Sequence, residues 1–164
     1  MRKITGLHFA IVALSLALVS CAQDSGDNLG GGKLVRNINE FNDAAAMLQP
    51  GDEIVLANGT WTDVELTLKA NGLPDQPVTL TAEEPGKVII TGQSNLRFSG
   101  EHIVVSGLVF KDGYTPTSEV ISFRTSKDDL ANNSRVTNTV IDDFSNPERY
   151  DSDLWVGIYG KNNR

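Results

Sequence analysis

Cysteine occurs once in these 164 residues, at Cys21, and histidine twice, at His8 and His102. One thiol closes no intrachain disulfide, so stability has to come from packing and hydrogen bonding. His102, immediately before a candidate strand, has no second histidine or cysteine with which to build a zinc site, and alone it does not define a nucleophile with an oriented base. Basic residues are outnumbered, 14 Lys and Arg against 21 Asp and Glu, which argues against nucleic acid as a partner. No apolar run reaches the roughly 18 to 20 residues of a permanent transmembrane helix. The triplet Gly30-Gly31-Gly32 is followed by neither Lys-Ser nor Lys-Thr, so it is not a phosphate loop. Asp142, Asp143, Glu148, Asp151 and Asp153 are rich in oxygen but lack the spacing of a dedicated calcium loop, and read as a solvated acidic loop.

What the first residues do contain is an export signal. Arg2 and Lys3 precede an uncharged apolar run from Phe9 to Val19, which ends in Leu18-Val19-Ser20-Cys21. This pattern is that of a bacterial lipobox, so residues 1–20 are expected to be a lipoprotein signal peptide and Cys21 the site of lipidation. More than one acyl chain on Cys21 would hold the protein on the membrane. The expected location is that of an exported bacterial lipoprotein, at the outer membrane or cell surface. Residues 21–33 are small and polar, and read as a flexible tether. Without Arg2 and Lys3 the chain holds 12 basic against 21 acidic residues, a net charge of −9. Residues 97–164 carry 8 basic and 10 acidic residues, against 4 and 11 in residues 21–96, so any anion site is expected in the later part.

Residues 34–164 are expected to form one domain. A helix over 39–48 is suggested by Asn39 as cap, by Phe41, Ala44, Ala45 and Leu48 on one face, and by the stop Pro50-Gly51. The rest reads as short strands: Glu53 to Leu56, Val64 to Leu68, Val78 to Ala82, Val88 to Thr91, Leu96 to Phe98, Ile103 to Ser106, Leu108 to Phe110, Glu119 to Phe123, Arg135 to Ile141 and Trp155 to Tyr159. Glycine and Asn-Gly turns punctuate them.

Two repeating series decide among all-β architectures. The segment from Ile103 aligns with that from Arg135 at an offset of 32, which sets Val104 on Val136. Leu96 and Phe98 recur as Ile121 and Phe123, 25 residues on, and as Val156 and Ile158, 35 further. The series interleave, as they must in a coil of parallel strands where each turn returns above its predecessor and loops absorb insertions. Segments 111–119 and 142–154 would be outward loops, and the helix would cover the first coil. A β-sandwich or barrel is the alternative that alternating strands also allow.

The segment from Leu48 to Trp61, LQPGDEIVLANGTW, resembles the opening coil of the polysaccharide lyase family that contains alginate lyases and chondroitinase B. Val88 to Gly92, Ile103 to Phe110 and Trp155 to Arg164 resemble that family in the same order. The resemblance covers residues 34–164 and implies a right-handed parallel β-helix with a short N-terminal capping helix. It also implies cleavage of an anionic uronate polysaccharide by β-elimination, alginate first and chondroitin or dermatan second. In that family calcium neutralises the uronate carboxylate, a lysine removes the proton from carbon 5, and an arginine stands near the leaving oxygen. Family members run to several hundred residues, and no stretch here matches the calcium or lysine motifs. Catalytic residues and calcium ligands are therefore expected beyond residue 164, with this N-terminal stretch inactive by itself.

Within the matching phrase, Lys161 and Arg164 are candidates for contact with a polyanion and Tyr159 for stacking on a sugar ring. Asn132, Asn133, Asn138, Asn162 and Asn163 read as turn residues and amide ladders. A functional rival is a non-catalytic β-helix that binds glycan as a surface scaffold.

Overall fold

A computed structural model describes residues 31–148, 150 and 153–164, so the signal segment, Cys21 and most of the tether lie outside the described residues. The chain winds as a parallel β-solenoid with one short helix. Strand β1 (Lys33–Val35) and helix α1 (Ile38–Ala45) come first. β2 (Glu53–Leu56), β3 (Gly59–Thr62) and β4 (Glu65–Asn71) make the first coil. β5 (Val78–Ala82), β6 (Val88–Gln93) and β7 (Asn95–Glu101) make the second. The third holds β8 (Ile103–Ser106), β9 (Leu108–Tyr114), β10 (Glu119–Ser122) and β11 (Ala131–Asn132). On it lie β12 (Arg135–Thr137), β13 (Val140–Phe144) and β14 (Leu154–Gly157). Every registered pair of these strands is parallel, and they stack into three sheets, β1-β2-β5-β8-β12, β3-β6-β9-β13 and β4-β7-β10-β14, with β11 beside the end of β7. Sandwich and barrel arrangements are thereby excluded.

The core is built of apolar columns. Leu66, Leu96 and Ile121 stand in register, as do Ile54, Leu80 and Val105, and all are buried. Phe98 and Phe123 lie 4.5 Å apart between ring centroids, and Phe110 meets Phe144 edge-on at 5.6 Å. Each buried side chain of this size contributes about 1.5 to 3 kcal/mol.

Corners between sheets need a left-handed residue, and the sequence supplies residues that tolerate it. Asp63, Asp112 and Asp143 serve at the corner leading into the third sheet, and His102, Asn133 and Asn162 at the corner leaving it, all at φ between 48° and 57°. Asn162 donates to Asn133 Oδ1 at 3.0 Å, a rung of the expected amide ladder. Gly100 is required for a second reason: a Cβ there would collide with the Ala70 carbonyl oxygen.

Several details differ from the sequence reading. The helix is capped by Asn37, not Asn39: Asn37 Oδ1 accepts from the backbone N–H of Asn39 and Glu40, and Glu40 reaches back to Arg36 N at 2.8 Å. It ends at Ala45, with Phe41 and Ala44 buried against the first coil. Arg135 to Ile141 is two strands, because Asn138 turns left-handed at φ 49°. The offset between these coils is 31, since Arg135 pairs with Val104 and Val140 with Val109.

Candidate functional site

The outward face of the third sheet carries a groove of about 390 Å³, lined by Arg97, Thr117, Glu119, Ser122, Arg124, Thr125, Ser126 and Lys127. Its wall is an excursion of the chain. After Phe123 the backbone leaves the sheet and returns at Ala131, whose N–H donates to the Phe123 carbonyl at 2.8 Å. An antiparallel bridge between Arg124 and Leu130 closes the resulting arm. Lys69 pins it through Asp129 at 2.8 Å, and Ser99 through the Thr125 hydroxyl at 2.8 Å.

At the groove's centre Glu119 is 5% exposed. Its Oε1 accepts from Arg124 Nη2 at 2.9 Å and from the Tyr159 hydroxyl at 2.6 Å. The Arg124 guanidinium also lies 3.8 Å from the centroid of the Tyr159 ring, a cation–π contact. Arg124 is thus fixed from two directions while most of its five N–H groups stay uncommitted. The bond to Glu119, burial and the Glu119 charge together hold the Tyr159 hydroxyl above its ordinary pKa, with Arg124 opposing, so Tyr159 is a protonated donor at neutral pH.

Arg97, on β7, reaches Glu65 only at 3.6 Å. Its Nε is buried without a hydrogen-bond partner, and so is Oδ1 of Asn95, which stands two residues earlier and donates to Thr117 at 3.1 Å. Lys127 sits in the arm and forms no ion pair among the described residues.

The three residues singled out in the sequence do not converge. Tyr159 belongs to this groove. Lys161 lies at the corner leaving the third sheet, where its N–H donates to Asn132 Oδ1 and its carbonyl accepts from Asn133. Arg164 continues beside the first sheet, exchanging backbone bonds with Ser134 and Val136, and lines a different cleft with His102 and Arg135. Arg97, Glu119, Arg124 and Lys127 escaped the sequence reading. A signal was present: the offsets of 25 and 35 that carry Phe98 to Phe123 and Ile158 also carry Ser99 to Arg124 and Tyr159. The expected outward loops are shorter than foreseen, because β9 runs on to Tyr114 and β13 to Phe144. Of the acidic segment from Asp142, Asp151 lies outside the described residues. Among the described residues no group of three or more His, Cys, Asp or Glu side chains could hold a metal ion, so these residues do not fit a calcium centre.

Residues 35–164 match the chondroitinase B family. The chain belongs to that family. Among solved structures, the PL6 family alginate lyase AlyGC is 57% identical, with a TM-score of 0.78 over 80% of this chain and 18% of its own. A PL6 family polysaccharide lyase from Pseudopedobacter saltans is 34% identical, with a TM-score of 0.72 over 79% of this chain and 29% of its own. A mannuronic acid specific family 6 lyase from human gut microbiota is 30% identical, with a TM-score of 0.73 over 80% and 32%. The chain therefore spans less than a third of the length of these family relatives. No curated protein sequence matches it.

Proposed function

We propose that the chain supplies the N-terminal coils of a polysaccharide lyase that cleaves alginate by β-elimination, with chondroitin or dermatan as the second substrate. The observation that carries this reading is the shared parallel solenoid, 57% identical to an alginate lyase over 80% of this chain. β-Elimination needs the uronate carboxylate neutralised, the carbon 5 proton taken by a base in hydrogen-bond reach, and the leaving oxygen stabilised. Among the described residues no group of three or more His, Cys, Asp or Glu side chains could hold a metal ion; the base and the calcium site are assigned, on the family resemblance, to residues beyond 164. The proposal extends to location: Cys21, once acylated, tethers the enzyme to the outer membrane or cell surface.

The test uses the full-length protein on alginate, polymannuronate, polyguluronate and dermatan sulfate, following unsaturated uronate products by ultraviolet absorbance. Products from alginate that vanish with a calcium chelator and return with calcium are the expected result. Absence of product from every polymer, with retained binding, would favour a glycan-binding scaffold. Replacing Cys21 with serine should release the protein from membranes.

A further inference from the structure

We propose that the groove on the third sheet is a carboxylate-binding subsite that holds one uronate residue of an anionic polysaccharide through Arg97, Arg124 and Lys127. This rests on the reading of the protein as acting on uronate polymers, and adds a place where the polymer is held.

The chain has a formal net charge of −7, yet three cations line this groove and, among the described residues, form ion pairs with two carboxylates, Glu119 within it and Glu65 at 3.6 Å from Arg97. A local excess of positive charge on an acidic protein attracts a polyanion to one place rather than to the surface at large.

Geometry makes the excess usable. Glu119 is buried, and its role is internal: it receives Arg124 and Tyr159 and so holds the guanidinium across the aromatic ring. A guanidinium already immobilised loses little further freedom on binding, and its remaining donors match the two oxygens of a carboxylate. Tyr159 supports Arg124 from behind and is a positioning residue here, in place of the ring-stacking role its sequence context suggested.

Unmet hydrogen-bonding capacity lies next to this groove. Buried polar atoms in folded proteins are nearly always paired. Three buried side-chain atoms lack a partner among the described residues, and two of them, Arg97 Nε and Asn95 Oδ1, belong to the strand beneath this groove. The hydroxyls of Thr117, Ser122, Thr125 and Ser126 complete the lining and suit the hydroxyls of a sugar ring. The volume of about 390 Å³ falls within the range of small-ligand sites.

The test measures binding of alginate oligosaccharides to the full-length protein by calorimetry, beside the same oligosaccharides with carboxyl groups reduced to alcohols. Arg97→Gln and Arg124→Gln are each expected to weaken binding of the uronate probe by about tenfold or more, and Lys127→Gln by about two- to threefold. The carboxyl-reduced probe should bind weakly to all forms alike. Arg135→Gln, on the first sheet, should leave binding unchanged. Arg97→Gln leaves the Glu119 contacts intact, so it tests the site even if Arg124→Gln impairs folding. Wild-type affinity in Arg97→Gln and Lys127→Gln, or equal affinity for the reduced probe, would overturn the subsite. Product release is scored separately. An active lyase with unaltered KM in the folded variants removes the subsite and leaves the lyase reading standing; lost binding in variants of a protein that makes no product does the reverse.

Discussion

The first coil and the last described strands of the solenoid are covered differently. At the first coil, α1 buries Phe41 and Ala44 against the core, and β1 pairs the edge of β2. At the other end Val140, Leu154, Trp155, Val156 and Ile158 are each 46–57% exposed, and Ile121, Phe123, Val136 and Ile141 border an open hollow of about 260 Å³. A parallel coil presents unpaired backbone and half an apolar column on whichever side lacks a neighbour. The helix resolves that problem at the start of the stack. The contrast teaches that apolar residues of equal size contribute unequally according to their layer.

Truncating one residue from each end is the strongest way to break this contrast. Phe41→Ala should cost about 3 to 5 kcal/mol, whereas Ile158→Ala in the 164-residue chain should cost less than about 1 kcal/mol, both by chemical denaturation. Equal losses would mean that the ends do not differ. In a version extended past residue 164 by further coils that bury Ile158, the second value should rise to about 2 kcal/mol or more. Next in size is Gly100→Ala, in the middle of the stack. Its φ of 112° and the Ala70 carbonyl in its path should make it lose about 2 to 3 kcal/mol, read from the denaturation midpoint. Asn37→Ala, which removes the cap of α1 alone, should lose about 1 kcal/mol, and Asn37→Asp much less.

The smallest effect tests the groove and not an end. Glu119 holds the Tyr159 hydroxyl above its ordinary value of 10.0. Because the folded pKa is raised, this contact contributes fully below the unfolded tyrosine range and is lost as pH climbs through the raised value. In Glu119→Gln, one tyrosine of the spectrophotometric titration should ionise at lower pH than in the parent. An unchanged titration would show that Tyr159 does not depend on Glu119.

Much of this architecture was readable as spacing. Inward-facing residues must stack, so Leu96, Ile121 and Val156 announced their own register. The neighbouring series slipped by one residue because Val104 and Val105 are chemically identical and only burial separates them: Val105 is buried in the core and Val104, on the opposite face, is half-buried. A slip of one exchanges the faces of a strand. β3 was overlooked because Trp61 is its only buried residue, and β11 because it is two residues long. The groove was harder to read. Its parts, Arg97, the pair Glu119 and Arg124, and Tyr159, come from successive coils and lie on outward positions where no packing pattern marks them. Tyr159 was singled out from its phrase, but its partners become visible only once the coils are stacked.

The position of α1 bears also on how the molecule is made. The helix and β1 to β4 precede every later coil along the chain, so the covered layer can be in place before the later coils have folded. Each subsequent turn then meets a finished template and needs only to close a loop of some thirty residues, a modest entropic cost repeated in sequence. Assembly becomes directional, running from the N-terminal coil onward, with the growing edge always the newest one.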